Sequence, residues 1–153
     1  MRTIVSPHCP GDNKVLDAPR PIRAAATVIV TAPDQSECSQ GYEVFTVKRS
    51  HGSGFMAGAH VFPGGVVDPI DHEPWWLEDG DSKPPEDSPY RVAAIRELFE
   101  ETGILLVDPP EAADTLSAEQ IQRHREAVHD DAQEFPRLCK QMGCKPAINQ
   151  MLP

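Results

Sequence analysis

No apolar run in the 153-residue chain approaches the roughly 18–20 residues that a membrane-spanning helix needs, so the sequence predicts no bilayer span. Positive charge is scarce. Fourteen Lys and Arg stand against 24 Asp and Glu, a formal net charge of −10. A nonspecific nucleic-acid binder or a protein held to anionic membranes would need basic patches that this balance does not supply. The four cysteines (Cys9, Cys38, Cys139, Cys144) include no C-x-x-C pair and follow no apolar signal peptide. Neither a zinc site nor a disulfide framework is therefore expected, and reduced thiols in an intracellular compartment are. Aromatics are few at 6 %, whereas 16 positions are proline, so parts of the chain read as irregular. The length suits one domain.

What negative charge there is gathers in one place. Residues 66–110 hold twelve acids and three bases, whereas residues 1–65 are close to neutral. An acidic run is usually a solvated surface, and the alternative is a site that holds a hard cation. Residues 1–21 read as an irregular arm, and residues 22–153 as the domain. Ala24 to Ala32 is a β-branched run, expected as a buried strand, and Tyr42 to Lys48 alternates as a second strand, the two forming a hairpin. Ser50 to Gly58 is a glycine-rich loop, and His60 to Phe62 a short strand ending in a Pro63-Gly64-Gly65 loop.

The stretch from about 68 to 88 carries eight acids and four prolines and reads as a surface insert, with Trp75 and Trp76 anchoring it to the body or, as the alternative, stacking on substrate. A helix follows, capped by Ser88, with Pro89 at its start and Gly103 past its end. Ile104 to Val107 reads as a strand. The segment from about 117 to 143 is helical: Ser117-x-x-Gln120 caps a helix running from Ala118 towards Glu134, Pro136 breaks it, and no convincing strand follows Val107. His124 and His129, five residues apart, read as a surface pair.

At about 100° per residue, Glu97, Glu100 and Glu101 share one face of the helix from Ser88, and Val92, Ile95, Leu98, Phe99 and Thr102 share the other. Like charges three and four residues apart destabilise an isolated helix by a few tenths of a kcal/mol per pair. Oxygen-only ligands at this spacing suit Mg2+ or Mn2+. Ala93, one turn earlier on the acidic face, leaves room for another backbone, for which Gly64-Gly65 is the natural candidate.

Arg96-Glu97-Leu98-Phe99-Glu100-Glu101-Thr102-Gly103-Ile104 resembles the second half of the Nudix box, R-E-U-x-E-E-x-G-U with U a bulky apolar residue. Phe62-Pro63-Gly64-Gly65 resembles its start. The box arginine would stand at 79 without interruption and stands at 96, so the box carries a 17-residue insertion. The approach from Gly54 through Phe55-Met56-Ala57-Gly58-Ala59-His60 to Gly65 is similar to that of the Nudix 19-like coenzyme A diphosphatases, which have such a split box. The segment Ala127 to Ala132 is similar to that group as well.

The resemblance implies an α/β fold, an α/β/α sandwich with a mixed sheet, and hydrolysis of a diphosphate linkage in CoA, acyl-CoA or a related nucleoside diphosphate derivative. It implies Glu97, Glu100, Glu101 and the Gly65 carbonyl as ligands of Mg2+ or Mn2+, with Glu97 or Glu100 also acting as base. Arg96 is expected to pair with a loop acid. Where the family has glutamate this chain has Asp71, with Asp68 and Glu73 as the other candidates. Arg49 and Phe55 are candidate substrate contacts, and Lys48 and Arg91 could meet phosphates. The resemblance implies a peroxisomal or mitochondrial location, although Met151-Leu152-Pro153 is not a peroxisomal address. Because strands normally follow the box, the sequence also reads as C-terminally truncated. The alternative function is then a catalytically weak remnant that binds metal or a partner.

Overall fold

The computed structural model describes residues 21–34, 41–52, 56–76 and 85–152. Among these residues, eight short strands form four antiparallel pairs. β1 (Ala25–Thr27) pairs with β6 (Gly64–Val66), β2 (Thr31–Pro33) with β3 (Tyr42–Val44), β4 (Val47–Lys48) with β5 (His60–Val61), and β7 (Val107–Asp108) with β8 (Lys145–Pro146). Among the described residues, three α-helices accompany them: α1 (Ser88–Thr102), α2 (Ala118–Asp130) and α3 (Glu134–Met142). Among the described residues, no helix is long and apolar enough to cross a membrane.

Several elements differ from the sequence expectation, each for a local reason. The β-branched run from Ala24 divides, because its start pairs with β6 and its end with β3, and of its residues only Val28 is buried. The register Thr31↔Val44 does join the two runs as a hairpin. The glycine pair is strand rather than loop. A Cβ on Gly64 would lie 2.3 Å from the Ala26 carbonyl oxygen and 2.7 Å from Thr27 Cα, so only glycine lets β6 lie this close to β1. A strand does follow Val107, but β8 is two residues long and includes Pro146, which offers no β-branched signal.

Helix boundaries shift as well. The residue before α1 is Asp87, whose side chain accepts from Arg91 Nε at 2.9 Å; Ser88 is the first helical residue and its Oγ donates to the Pro85 carbonyl. Gly103, at φ +82°, closes the helix as expected. The break in the second helical segment falls at 131–133, and Pro136 sits in the first turn of α3, where a missing N–H costs no helical bond.

The core lies between α1, α2 and α3. Val92, Ile95 and Phe99 on the apolar face of α1 are buried with Phe135, Leu138 and Cys139 of α3 and Val128 of α2, whereas Leu98 is buried with Ala94 and with Val28, just past β1. The stretch from Asp68 is only in part a surface insert. Pro69–His72 and Pro74–Trp76 form 3-10 turns, and Ile70, Asp71 and Trp76 are buried. The Trp76 indole N–H donates to the Ile70 carbonyl at 2.8 Å, and its ring packs 5.8 Å from Phe135. Trp76 therefore anchors this segment to the core, and Trp75 stacks on it.

Candidate active site

The acidic stripe of α1 faces β6 and a cleft. Its position is set by Arg96, buried with only 4 % of its side chain exposed. Arg96 Nε donates to Asp71 Oδ1 and Nη2 to Asp71 Oδ2, both at 3.0 Å. Of the three acids that sequence alone left open, Asp71 is the partner. The reason lies in the 3-10 turn: Asp68 caps it by accepting from the Ile70 N–H, and Asp71 Oδ2 accepts from the Asp68 N–H in return. This reciprocal cap turns Asp71 inward. Arg96 Nη2 also donates to the Val66 carbonyl, and Nη1 to Glu97 Oε1, at 3.0 Å each. One guanidinium thus ties together the helix, the strand after the glycines and the insert. Burial alone would lower its pKa, but Asp71 and Glu97 outweigh that and hold it above its ordinary value.

The three glutamates lie at different depths. Glu97 is the most enclosed of them, and its carboxylate packs on Gly65, where a Cβ would approach it to 2.5 Å. Burial raises its pKa, Arg96 opposes the shift, and the Glu100 charge adds to it. Glu101 is more exposed and accepts from the Gly64 N–H at 3.3 Å; burial raises its pKa and that hydrogen bond lowers it. Glu100 lies between them, with Oε2 3.6 Å from Arg96 Nη1. Its Oε1 lies 2.7 Å from His129 Nδ1 on α2.

Glu100 and Glu101 line a cleft of about 520 Å3 together with Lys48, Arg49 and Ser50 at the end of β4 and with His129, and the Arg49 charge acts on Glu101. Carboxylates and cations thus line the same cleft, whose volume is large enough for a diphosphate. Arg49 is placed in this cleft, whereas Phe55 lies outside the described residues. Arg91 serves elsewhere: besides Asp87 it donates to the Ile148 and Met151 carbonyls, holding the last described residues against α1. His129, read from sequence as a surface histidine, is exposed as expected and also lines this cleft. Arg125, one turn earlier on the same face of α2, donates to the Glu100 and Glu101 carbonyls at 3.1 and 2.7 Å and docks α2 on the end of α1, a tertiary contact that sequence spacing does not show.

In chemistry the donor set suits a hard divalent cation. It is all oxygen, and Gly65 leaves its backbone bare against Glu97. In geometry the carboxylates are turned to protein donors. Among the described residues, no three His, Cys, Asp or Glu side chains converge as a metal would draw them.

The family described as the NUDT19 Nudix domain matches residues 22–80 and 77–152. The acyl-coenzyme A diphosphatase NUDT19 of Homo sapiens is 30 % identical over 161 residues, covering 77 % of this chain and 43 % of that protein. Its namesake in Xenopus laevis is 32 % identical over 161 residues, covering 78 % and 42 %. The putative nudix hydrolase 7 of Caenorhabditis elegans is 39 % identical over 83 residues, covering 54 % and 22 %. The chain therefore spans less than half the length of these curated relatives. A NUDIX hydrolase from Alicyclobacillus acidocaldarius superposes with a TM-score of 0.63 over 86 % of this chain and 59 % of that one, at 23 % identity, which shows a shared α/β fold. With the family matching nearly all of residues 22–152, and the box helix, its buried arginine and the glycine pair placed as described, the chain belongs to the Nudix family, in the group of the NUDT19 Nudix domain.

Proposed function

We propose that this chain hydrolyses the diphosphate bond of CoA or an acyl-CoA, with Glu97, Glu100, Glu101 and the Gly65 carbonyl holding Mg2+ or Mn2+. The observation that carries the reading is the cleft that Glu100 and Glu101 line together with Lys48 and Arg49. Nudix enzymes typically use a divalent metal, and the relatives named acyl-coenzyme A diphosphatase supply the substrate class. A bound divalent cation supplies neutralisation of the diphosphate and a lowered pKa for water. The chain's own residues do the rest. Lys48 and Arg49 meet phosphate oxygens as charge-assisted donors. Arg96, fixed by Asp71, keeps Glu97 oriented over Gly65. Glu97 or Glu100 takes the proton of the attacking water as its oxygen bonds to phosphorus and the bridging P–O bond breaks, leaving two phosphomonoesters.

A second reading is favoured by one observation: the carboxylates are engaged by protein donors and do not converge. On that reading the chain binds metal or a partner and turns over weakly. Release of adenosine 3′,5′-bisphosphate from CoA, followed with Mg2+ or Mn2+ in the wild type, Glu100→Gln and Glu101→Gln, separates the two. A loss of about 100-fold or more in the variants is expected for residues that hold the metal. Equal rates in all three would overturn the enzyme reading, and Mn2+ binding without turnover would establish the second.

A further inference from the structure

We propose that His129, on a helix outside the box, is the positioning residue for Glu100, holding one carboxylate oxygen so that the other meets the cation. The inference rests on the proposed metal-dependent hydrolysis and goes beyond it by adding a residue from α2 to the site. Glu100 is bracketed. His129 Nδ1 lies 2.7 Å from Oε1, and Arg96 Nη1 lies 3.6 Å from Oε2 on the other side. An ionised carboxylate only accepts hydrogen bonds, so at 2.7 Å the Nδ1 atom is the donor. The longer Arg96 contact leaves Oε2 the less committed of the two oxygens.

The placement follows from how α2 is docked. The last carbonyls of a helix lack intrahelical partners. Here Arg125 Nε donates to the Glu100 carbonyl and Nη2 to the Glu101 carbonyl, which fixes α2 against the C-terminal turn of α1. One turn on, at i+4, the same face of α2 delivers His129 to the Glu100 side chain. Backbone and side chain of one glutamate are thus held by two consecutive turns of one neighbouring helix. His129 also lines the cleft that holds Lys48, Arg49 and Glu101, so its bond to Glu100 sits where substrate would enter. Outer partners of metal ligands orient them, and their loss typically costs about 10- to 100-fold in metal affinity or activity.

The His129 side chain is 74 % exposed, so its replacement removes little packing and the fold should tolerate it. The test compares His129→Ala with His129→Asn, whose amide N–H replaces the Nδ1 donor at the same branch of the side chain. Mn2+ affinity is measured by calorimetry, and kcat and KM are measured separately with CoA. Alanine is expected to weaken Mn2+ binding and lower kcat by about 10-fold or more, with KM changed less than about twofold and the melting temperature retained. Asparagine is expected to restore most of both. Wild-type Mn2+ affinity and kcat in the alanine variant would overturn the proposal. So would a loss confined to KM, which would make His129 a substrate contact, or failure of asparagine to rescue a correctly folded protein. If the wild type releases no product, the hydrolase reading fails by itself, and the Mn2+ affinities of the three proteins still decide the role of His129.

Discussion

Removing the carboxylate of Asp71 tests whether a buried ion pair holds the box helix in place. Arg96 donates to both oxygens of Asp71 at 3.0 Å, and the two side chains are 4 % and 0 % exposed. Asp71→Ala strands the guanidinium in the interior, where loss of one partner from a buried pair costs about 3–5 kcal/mol. Glu97 and the Val66 carbonyl remain as partners, which puts the loss at the low end of that range. The same substitution leaves the Asp68 N–H without its acceptor, adding about 1 kcal/mol and bringing the total to about 4 kcal/mol. At about 2–4 °C per kcal/mol for a chain near this size, the melting temperature should fall by about 8–16 °C. Combining Asp71→Ala with Arg96→Met removes the stranded charge and should recover part of the loss, since an apolar side chain of similar length tolerates that interior better than an unpaired ion. Urea unfolding followed by far-UV circular dichroism reads all three proteins. The reasoning is refuted if Asp71→Ala unfolds within about 1 kcal/mol of the wild type, or if the double variant is no more stable than the single one.

Three further outcomes follow from the same geometry. Gly65→Ala would set a Cβ 2.5 Å from a carboxylate that Arg96 holds, so Glu97 must turn away; Mn2+ affinity and CoA turnover should fall together by about 10-fold or more, and unchanged values in both assays would contradict the close approach. Gly103→Ala places an L side chain at φ +82° and its Cβ 2.9 Å from Ile121 Cγ2, so a melting curve should show a loss of about 1–2 kcal/mol, and a neutral result would argue against this end of α1. Mg2+ or Mn2+ at ten times its dissociation constant should stabilise the wild type by about 1.4 kcal/mol, or about 3–6 °C by differential scanning fluorimetry. Glu100→Gln and Glu101→Gln should lose that shift, and a wild type without one binds no cation to its folded form.

What could be read from sequence was what a single element decides by its own period. The stripe of Glu97, Glu100 and Glu101 and the apolar face opposite it follow from 3.6 residues per turn, the glycine that ends α1 follows from the left-handed position a helix end adopts, and each is where the sequence puts it. What could not be read depends on elements meeting. Asp68, Asp71 and Glu73 are equivalent acids until a 3-10 turn closes over Pro69–His72 and aims one of them at Arg96, although Asp68-Pro69-x-Asp71 carries the spacing of a reciprocal cap and could have pointed to it. His129 was out of reach for the same reason. Its spacing from His124 says nothing, and its partner Glu100 lies 29 residues earlier, so only the docking of α2 through Arg125 brings them together. The divided strand from Ala24 shows the limit from the other side: β-propensity marks a segment that will pair, but two different partners choose its two ends. These non-local contacts act on one object. Asp71 holds Arg96, Arg96 holds Glu97 over Gly65, and Arg125 with His129 holds Glu100, so the local rules make an acidic helix face and three distant segments give its carboxylates their directions. The helix alone would present three mutually repelling charges. With the insert, β6 and α2 around it, each charge has its own donor, and the repulsion that remains between Glu97, Glu100 and Glu101 is the part a divalent cation can relieve.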